Sequence, residues 1–509
     1  MVTETVSLES KSVSQEVDSS VGREILLFGV VSVLLLIPCL WHAHIEAGDL
    51  GSHVYNAWLA QLIGEGQAPG LYIVRQWDNV LFDVLLLNFA DLLGLALAEK
   101  LAVSLCVLVF FWGVFALMRA VASQTPWFLT PCIAMLTYGH VFHLGFMNYY
   151  LSIGLACMGL ALMWPLRRDG LIASVLIVPV MLLAHPIGSL WFVGAGCYRL
   201  LWAILRDRWK VIAPVGAISV CLAARWYISR AGWEVQWREV PLWRMTGADQ
   251  FHVFGSRYVY FTKGFLLLAA LSTLLAVAQF RRLPGFWTRL RLPLELCEVA
   301  FVATILLPEN IHTDPTGGWI GELATRLTLV TAIFALCWLA TLPPRRWYLF
   351  AYGALALVYF VFIYQDTAFM NRMEANAEKV TEQLPFGTRT LATIYAPGDY
   401  RTPFLHIPDR ACIGHCFLVS NYEPSTKQFR IRVTQGSPVV TASVDDSEDM
   451  QAGDYDVQEE DLPLKQIYQC DGRDLTKICI RDLAADEKNG SVGHYAPPET
   501  AATGNWQLR

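Results

Sequence analysis

The sequence predicts an all-α polytopic membrane domain of about eleven transmembrane helices, followed by a small α+β soluble domain. Composition and the recurrence of long apolar runs carry that prediction. Of 509 residues, 55% are hydrophobic and only 16% charged, far outside the balance of a soluble domain. A spanning helix needs about 20 mainly apolar residues, because backbone amides left unpaired in hydrocarbon each cost several kcal/mol. Runs of this kind recur from residue 25 to residue 364. The net charge of -6 comes from acidic tails, and with no basic stripe nucleic acid is excluded as a partner.

A polar tail over 1–24 is expected in the cytoplasm, followed by a multi-span domain over 25–365. The first run, 25–41, lacks an Ala-x-Ala-like cleavage site and reads as a retained span. Further spans are predicted at 101–117, 127–142, 149–165, 171–184, 187–205, 211–224, 259–280, 294–307, 323–342 and 347–364. Residues 80–98 are apolar as well, but Asn88, Asp91 and the parity of the charges favour an interfacial or re-entrant helix. Arg119, Arg167 with Arg168, Arg206 with Arg208 and Lys210, the 281–291 cluster, and Arg345 with Arg346 fall on one side when the segments pair as hairpins. That side is expected to be cytoplasmic. The first loop (43–79), the turns near His140 and His185, the loops over 225–258 and 309–322, and the C-terminal domain then lie outside an inner or plasma membrane.

Beyond residue 365, charges, Pro, Gly and alternating stretches such as 430–434 and 438–442 replace the apolar runs. The sequence predicts a mixed soluble domain over 366–487, an acidic loop at 445–461 and a disordered tail over 488–509. Cys412, Cys416, Cys470 and Cys479 lie in it. They form two disulfides in an oxidising compartment, stay free thiols, or, with His415, let Cys412 and Cys416 hold a metal.

The chemistry concentrates in the first loop, where Glu46, Asp49 and His53 collect at the end of a span. If Asp49 opens a helix, His53 lies one turn later on the same face. Two readings fit: a carboxylate that takes a proton from an acceptor hydroxyl or binds a divalent cation, or an N-cap on an amphipathic interfacial helix carrying Leu50, Val54, Trp58 and Leu62. The loop over 225–258 crowds Arg225, Arg230, Arg238, Arg244 and Arg257 among four tryptophans. It reads either as a platform for a lipid phosphate or as an interfacial aromatic belt. In the loop over 309–322, His312 and Glu322 precede Arg326, which sits just inside a span, where a guanidinium is costly unless paired. Arg326 either reaches a phosphate or forms an i,i+4 pair with Glu322. His140, His143, Asn148 and His185 are candidates to line the same cavity.

The N-terminal span, the acidic residue opening its outer loop, His53-x-Tyr55-x-x-Trp58 and the turn Gly66-x-x-Pro69-Gly70 resemble the GT-C membrane glycosyltransferases. The later spans and the soluble C-terminal domain are similar too, so the likeness covers the architecture of residues 20–365, with its motifs confined to the first loop. The resemblance implies a polyprenyl-phosphate sugar donor in the membrane, a glycan, lipid or protein acceptor, and an acidic first-loop residue as base or metal ligand. Asp49 matches that role, with Glu46 as its substitute and a divalent cation as the implied cofactor. The Trp-Trp-Asp signature of the oligosaccharyltransferase branch is missing. On the residues alone, a transporter or flippase and a non-catalytic assembly protein stand as alternatives, although no internal repeat of the transporter kind is evident.

Overall fold

The computed structural model describes residues 22–491 except 239, 283, 315–317, 395–403 and 427. The predicted tail over 1–24 therefore lies outside the described residues up to position 21, and residues 492–509 of the predicted disordered tail lie outside them too. The chain is mostly helical. α1 (Gly22–Leu40) leads through a short segment to α2 (Leu50–Glu65), and α3 (Leu81–Leu93) precedes the long α4 (Leu95–Ala122). Then come α5 (Thr130–Thr137), the single turn α6 (His140–His143), α7 (Met147–Met163), α8 (Arg168–Ala184), α9 (Pro186–Ile204) and α10 (Ile212–Ile228). The helices α11 (Tyr258–Phe280), α12 (Phe286–Leu306), α13 (Leu323–Ala340) and α14 (Arg346–Thr381) complete this part.

Among the described residues, seven helices are long and apolar enough to cross a membrane: α1, α4, α9, α10 with the turn before it, α11, α13 and α14. The chain is thus compatible with a multi-pass membrane protein. The other segments differ for local reasons. Residues 127–142 are not one helix, because Pro126, Pro131 and Gly139 divide them into a short 3₁₀ turn, α5 and α6. α7 is apolar but only 17 residues long. α12 has the length but carries Arg289, Arg291, Glu295 and Glu298. The apolar stretch over 80–98 breaks at Gly94, whose φ of +82° suits glycine, and α3 has 13 residues, fewer than a crossing needs.

α4 and α7 form the centre of the bundle, crossing where glycines let the backbones meet. A Cβ on Gly113 would stand 2.3 Å from the Gly154 carbonyl oxygen. Beside that crossing, Phe110 stacks on Tyr150 at 4.1 Å. Close approach of small residues of this kind drives helix association where lipid offers no hydrophobic advantage. α10 is the opposite case, with 6% of its apolar window buried, as expected for a helix facing lipid tails.

The soluble part holds a four-stranded sheet in the order β6-β5-β8-β9, from β5 (Thr388–Thr393), β6 (Cys416–Leu418), β8 (Lys465–Gln469) and β9 (Ile478–Asp482). β5 is parallel to β6 and β8, and β9 returns antiparallel to β8. The short helices α15 (Ile407–Ala411), α16 (Tyr422–Ser425) and α17 (Val444–Ala452) flank it. Two further sheets tie loops together. β1 (Leu71–Ile73), in the first loop, pairs antiparallel with β7 (Ile431–Val433) of the soluble part. β2 (Glu234–Gln236), β3 (Asn310–Asp314) and β4 (Gly318–Ile320) join the loops over 225–258 and 309–322.

Several boundary expectations are corrected. α14 runs unbroken through the expected junction at 365 as a 36-residue helix, so residues 366–381 continue a membrane-domain helix. The acidic stretch over 445–461 is not simply a loop. Its first half is α17, capped when the Ser443 hydroxyl accepts from Asp446 N, with Asp445 and Asp446 favourably placed in the first turn. Residues 438–442 form no strand. Residues 488–491 are ordered: Asn489 is fully buried and donates to the Met450 carbonyl at 2.7 Å.

Candidate functional site

The segment between α1 and α2 docks onto the turn between α6 and α7. Gly48 N donates to the His143 carbonyl at 2.9 Å and Asp49 N to the Leu144 carbonyl at 3.0 Å. Gly145 makes this possible. Its φ is +85°, and a Cβ there would stand 2.3 Å from Asp49 N. Asp49 therefore opens α2 with a fixed backbone, but its side chain makes no capping bond. The carboxylate instead faces His406, whose Nε2 lies 3.6 Å from Asp49 Oδ1. Gly51 lets the two elements approach, since a Cβ there would come within 2.3 Å of the His406 carbonyl oxygen.

One turn along α2, His53 Nδ1 lies 2.7 Å from Asp83 Oδ1 on α3, and Asn148 Nδ2 of α7 donates to Asp83 Oδ2 at 2.8 Å. Ser52 donates to Glu423 Oε1 of α16 at 2.8 Å. Burial alone would lower the His53 imidazole, but the Asp83 carboxylate outweighs it and holds the group up at about 9. Burial pushes Glu423 up to about 7 against the pull of His53. Burial also raises Asp49 above the usual carboxylate range, while His406, His53 and Arg326 draw it back down. A carboxyl moved toward neutrality in this way suits proton transfer near pH 7.

Two cavities adjoin this centre. One, of about 10 Å³ and so with room for about one water molecule, is lined by His53, Asn79, Asp83, Glu423, Phe429 and Arg430. The other, also of about 10 Å³, is lined by His406, Asp409, Tyr422, Asn421, Ser420 and Gln451. Asp49 neighbours both, touching His406 of the second and preceding His53 of the first by one helical turn. Arg326 of α13 lies 3.0 Å from His185 Nε2, and its guanidinium sits 4.4 Å over the Phe146 ring. Because arginine always donates, His185 Nε2 accepts. The Arg326 charge acts on Asp49 from there.

Asp49, His53, Arg326 and His185 thus gather around one centre, and the other candidates divide. Glu46 belongs to a separate buried ion network: Arg410 of α15 places Nη2 3.2 Å from Glu46, Nη1 3.2 Å from Glu99 and Nε 2.7 Å from Glu374. Arg225 is 3.9 Å over the Trp237 ring and donates to the Leu306 carbonyl at 3.0 Å. Arg257 binds Asp366 of α14 at 2.5 Å, and its guanidinium stacks on Phe362. Glu322 does not form the expected ion pair with Arg326. Its carboxylate acts on Glu309, whose carboxyl burial and this neighbour push up to about 7. His140 opens α6 and His312 lies on β3, and no described contact ties either to Asp49.

Cys412 is bonded to Cys416, and Cys470 to Cys479. No thiolate of these four is left for a metal. Among the described residues, the one group of His, Cys, Asp or Glu close enough to share an ion is His44, Glu374 and Glu378. Asp49 is not in that group.

Sequence reasoning missed Asp83, His406, Asp409, Arg410, Glu423 and Arg430. Asp83 had a visible signal, being a carboxylate in an otherwise apolar run. The rest come from the soluble part, where nothing in their spacing points to a membrane-domain partner. The fold and the apolar helices define a mostly helical protein compatible with multi-pass insertion, with a C-terminal part that pairs with its first loop through β1 and β7. No family model, curated protein or solved structure matches the chain.

Proposed function

We propose that this protein is a membrane glycosyltransferase that moves a sugar from a polyprenyl-phosphate donor to an extracytoplasmic acceptor. The observation that carries the proposal is the state of Asp49: a carboxylate that opens a helix without capping it, raised by burial and faced by His406, with His53 and Arg326 acting on it. Asp49 takes the proton of an acceptor hydroxyl. The acceptor oxygen bonds to the anomeric carbon, and the bond from that carbon to the lipid phosphate breaks, its electron pair leaving on the phosphate oxygen. A single displacement of this kind inverts the anomeric centre. Arg326 and Arg430 supply positive charge near the leaving phosphate, and guanidinium suits phosphate through paired hydrogen bonds. His53, held by Asp83, adds a further positive charge one helical turn from Asp49. The proposal includes an extracytoplasmic soluble part, which two disulfides favour, because such bonds persist in oxidising compartments.

The test is transfer of labelled sugar from polyprenyl-phosphate donors in membranes carrying wild type or Asp49→Asn. General-base loss lowers the rate about 10²–10⁴-fold. An Asp49→Asn protein that is inserted, folded and as active as wild type removes the assigned base. Cysteine labelling that finds the soluble part in the cytosol removes the extracytoplasmic acceptor.

A further inference from the structure

His44, Glu374 and Glu378 each bring one ligand atom within 4.8 Å of the others. His44 lies in the segment joining α1 to α2. Glu374 and Glu378 are one turn apart on the same face of α14. His44 Nε2 is 2.9 Å from Glu378 Oε1, and its Nδ1 is 3.8 Å from Glu374 Oε1. A second observation concerns Glu374 itself, whose side chain is 0% exposed. Its Oε1 lies 2.7 Å from Arg410 Nε, and its Oε2 accepts from Arg410 Nη2 at 2.8 Å. The same Oε1 faces the His44 imidazole, and a carboxylate oxygen with two lone pairs has capacity for a second cationic partner beside the guanidinium.

We propose that His44, Glu374 and Glu378 form a binding site for a divalent transition-metal cation. One imidazole and two carboxylates suit zinc, cobalt or manganese better than magnesium or calcium, which prefer all-oxygen shells. Three carboxylates, Glu99, Glu374 and Glu378, surround His44, while Arg410 is the guanidinium that reaches two of them. A divalent ion adds positive charge to this group. His44 binds the ion as a neutral ligand, so any proton on it leaves to solvent. Glu378 has a 36% exposed side chain, which gives the ion an entrance and leaves room for water to complete its shell. The 36-residue α14 is about 54 Å long at 1.5 Å per residue. It therefore outruns a hydrocarbon core of about 30 Å, and its last turns stand clear of the lipid. The ion clamps the segment leading to Asp49 against α14, next to the arginine that anchors the soluble part. The site stands apart from Asp49 and does not rest on the transferase reading.

The test uses the purified full chain in detergent, stripped with chelator and titrated with Co²⁺ while the visible d–d absorption of the bound ion is followed. Wild type is expected to take up one Co²⁺ per chain. His44→Asn and Glu378→Gln are expected to weaken binding at least tenfold, while Asp49→Asn binds as wild type does. Glu378→Gln, at the partly exposed position, keeps the test decisive should His44→Asn fail to fold. A wild-type chain without the Co²⁺ spectrum, or a folded Glu378→Gln chain that binds equally well, overturns the site. Loss of sugar transfer in Asp49→Asn with Co²⁺ binding intact separates this site from the proposed reaction.

Discussion

Arg410 is where the soluble part is anchored to the membrane part, and Arg410→Ala tests how much that anchor contributes. The guanidinium meets Glu46, Glu99 and Glu374, and its Nη1 also donates to the Ile45 carbonyl at 3.0 Å. The side chains are 4%, 1%, 3% and 0% exposed for Arg410, Glu46, Glu99 and Glu374, so water does not screen the contacts. At about 3 Å and an effective dielectric of about 20, each contact is worth roughly 5 kcal/mol of gross attraction. Desolvation of the partners cancels most of that sum in the intact network. Removing the arginine leaves the carboxylates buried and unpaired, at a cost of about 3–5 kcal/mol. If opening is local, that raises the open population by a factor of roughly 10²–10⁴. Limited proteolysis of the soluble part, under conditions where closing outpaces cleavage, reads this factor directly. Glu99→Gln in the Arg410→Ala background should recover part of the loss, because it removes one orphaned charge. A loss below about 1 kcal/mol, the range of an exposed pair, refutes the reasoning. So does a double variant that is worse by the sum of the single losses.

Stability also depends on His53. Its folded-state value of about 9 lies above the ordinary 6.5, so the Asp83 pairing contributes fully below about pH 6.5 and is lost as pH rises through about 9. The expected contribution is about 3 kcal/mol, and denaturation profiles between those limits should lose this slope in His53→Gln. An unchanged slope removes the ion pair as its source. Gly51→Ala and Gly145→Ala each force a Cβ to within 2.3 Å of backbone, against His406 and Asp49 respectively. Both should destabilise by about 1–3 kcal/mol. Gly145→Ala should be the worse of the two because its φ of +85° adds strain. Equal behaviour of both variants and wild type in thermal unfolding contradicts the close approach described here. Asp49→Asn transfer and Co²⁺ uptake complete the set.

Much of the fold was legible in the residues, and the reason is that lipid is a simple solvent. A backbone in hydrocarbon must satisfy its own amides, so long apolar runs such as those in α4, α11 and α13 declare themselves as helices regardless of their neighbours. Breaks were legible where Pro and Gly act locally, although the combined effect of Pro131 and Gly139 on 127–142 was underestimated. The first loop stood out because Glu46, Asp49 and His53 are expensive beside a membrane. The sequence could not divide their roles. Glu46 and Asp49 are three positions apart and chemically alike, yet one meets Arg410 and the other His406.

The amino-acid sequence alone determined that this chain is predominantly helical and apolar, that a polar centre follows its first long helix, and that its character changes after α14. It did so because those properties depend on local composition and on period, which neighbouring residues set. Only the tertiary structure decided that α2 is held between α3, α4 and the C-terminal part, so that Asp49, His53, Asp83, His185, Arg326, His406 and Glu423 share one neighbourhood. Contacts such as Ser52 with Glu423, 371 positions apart, leave no trace in spacing. They arise from two glycines that admit a close approach and from buried charges that need partners. Those are properties of the assembled surfaces, which a single chain read in order does not display.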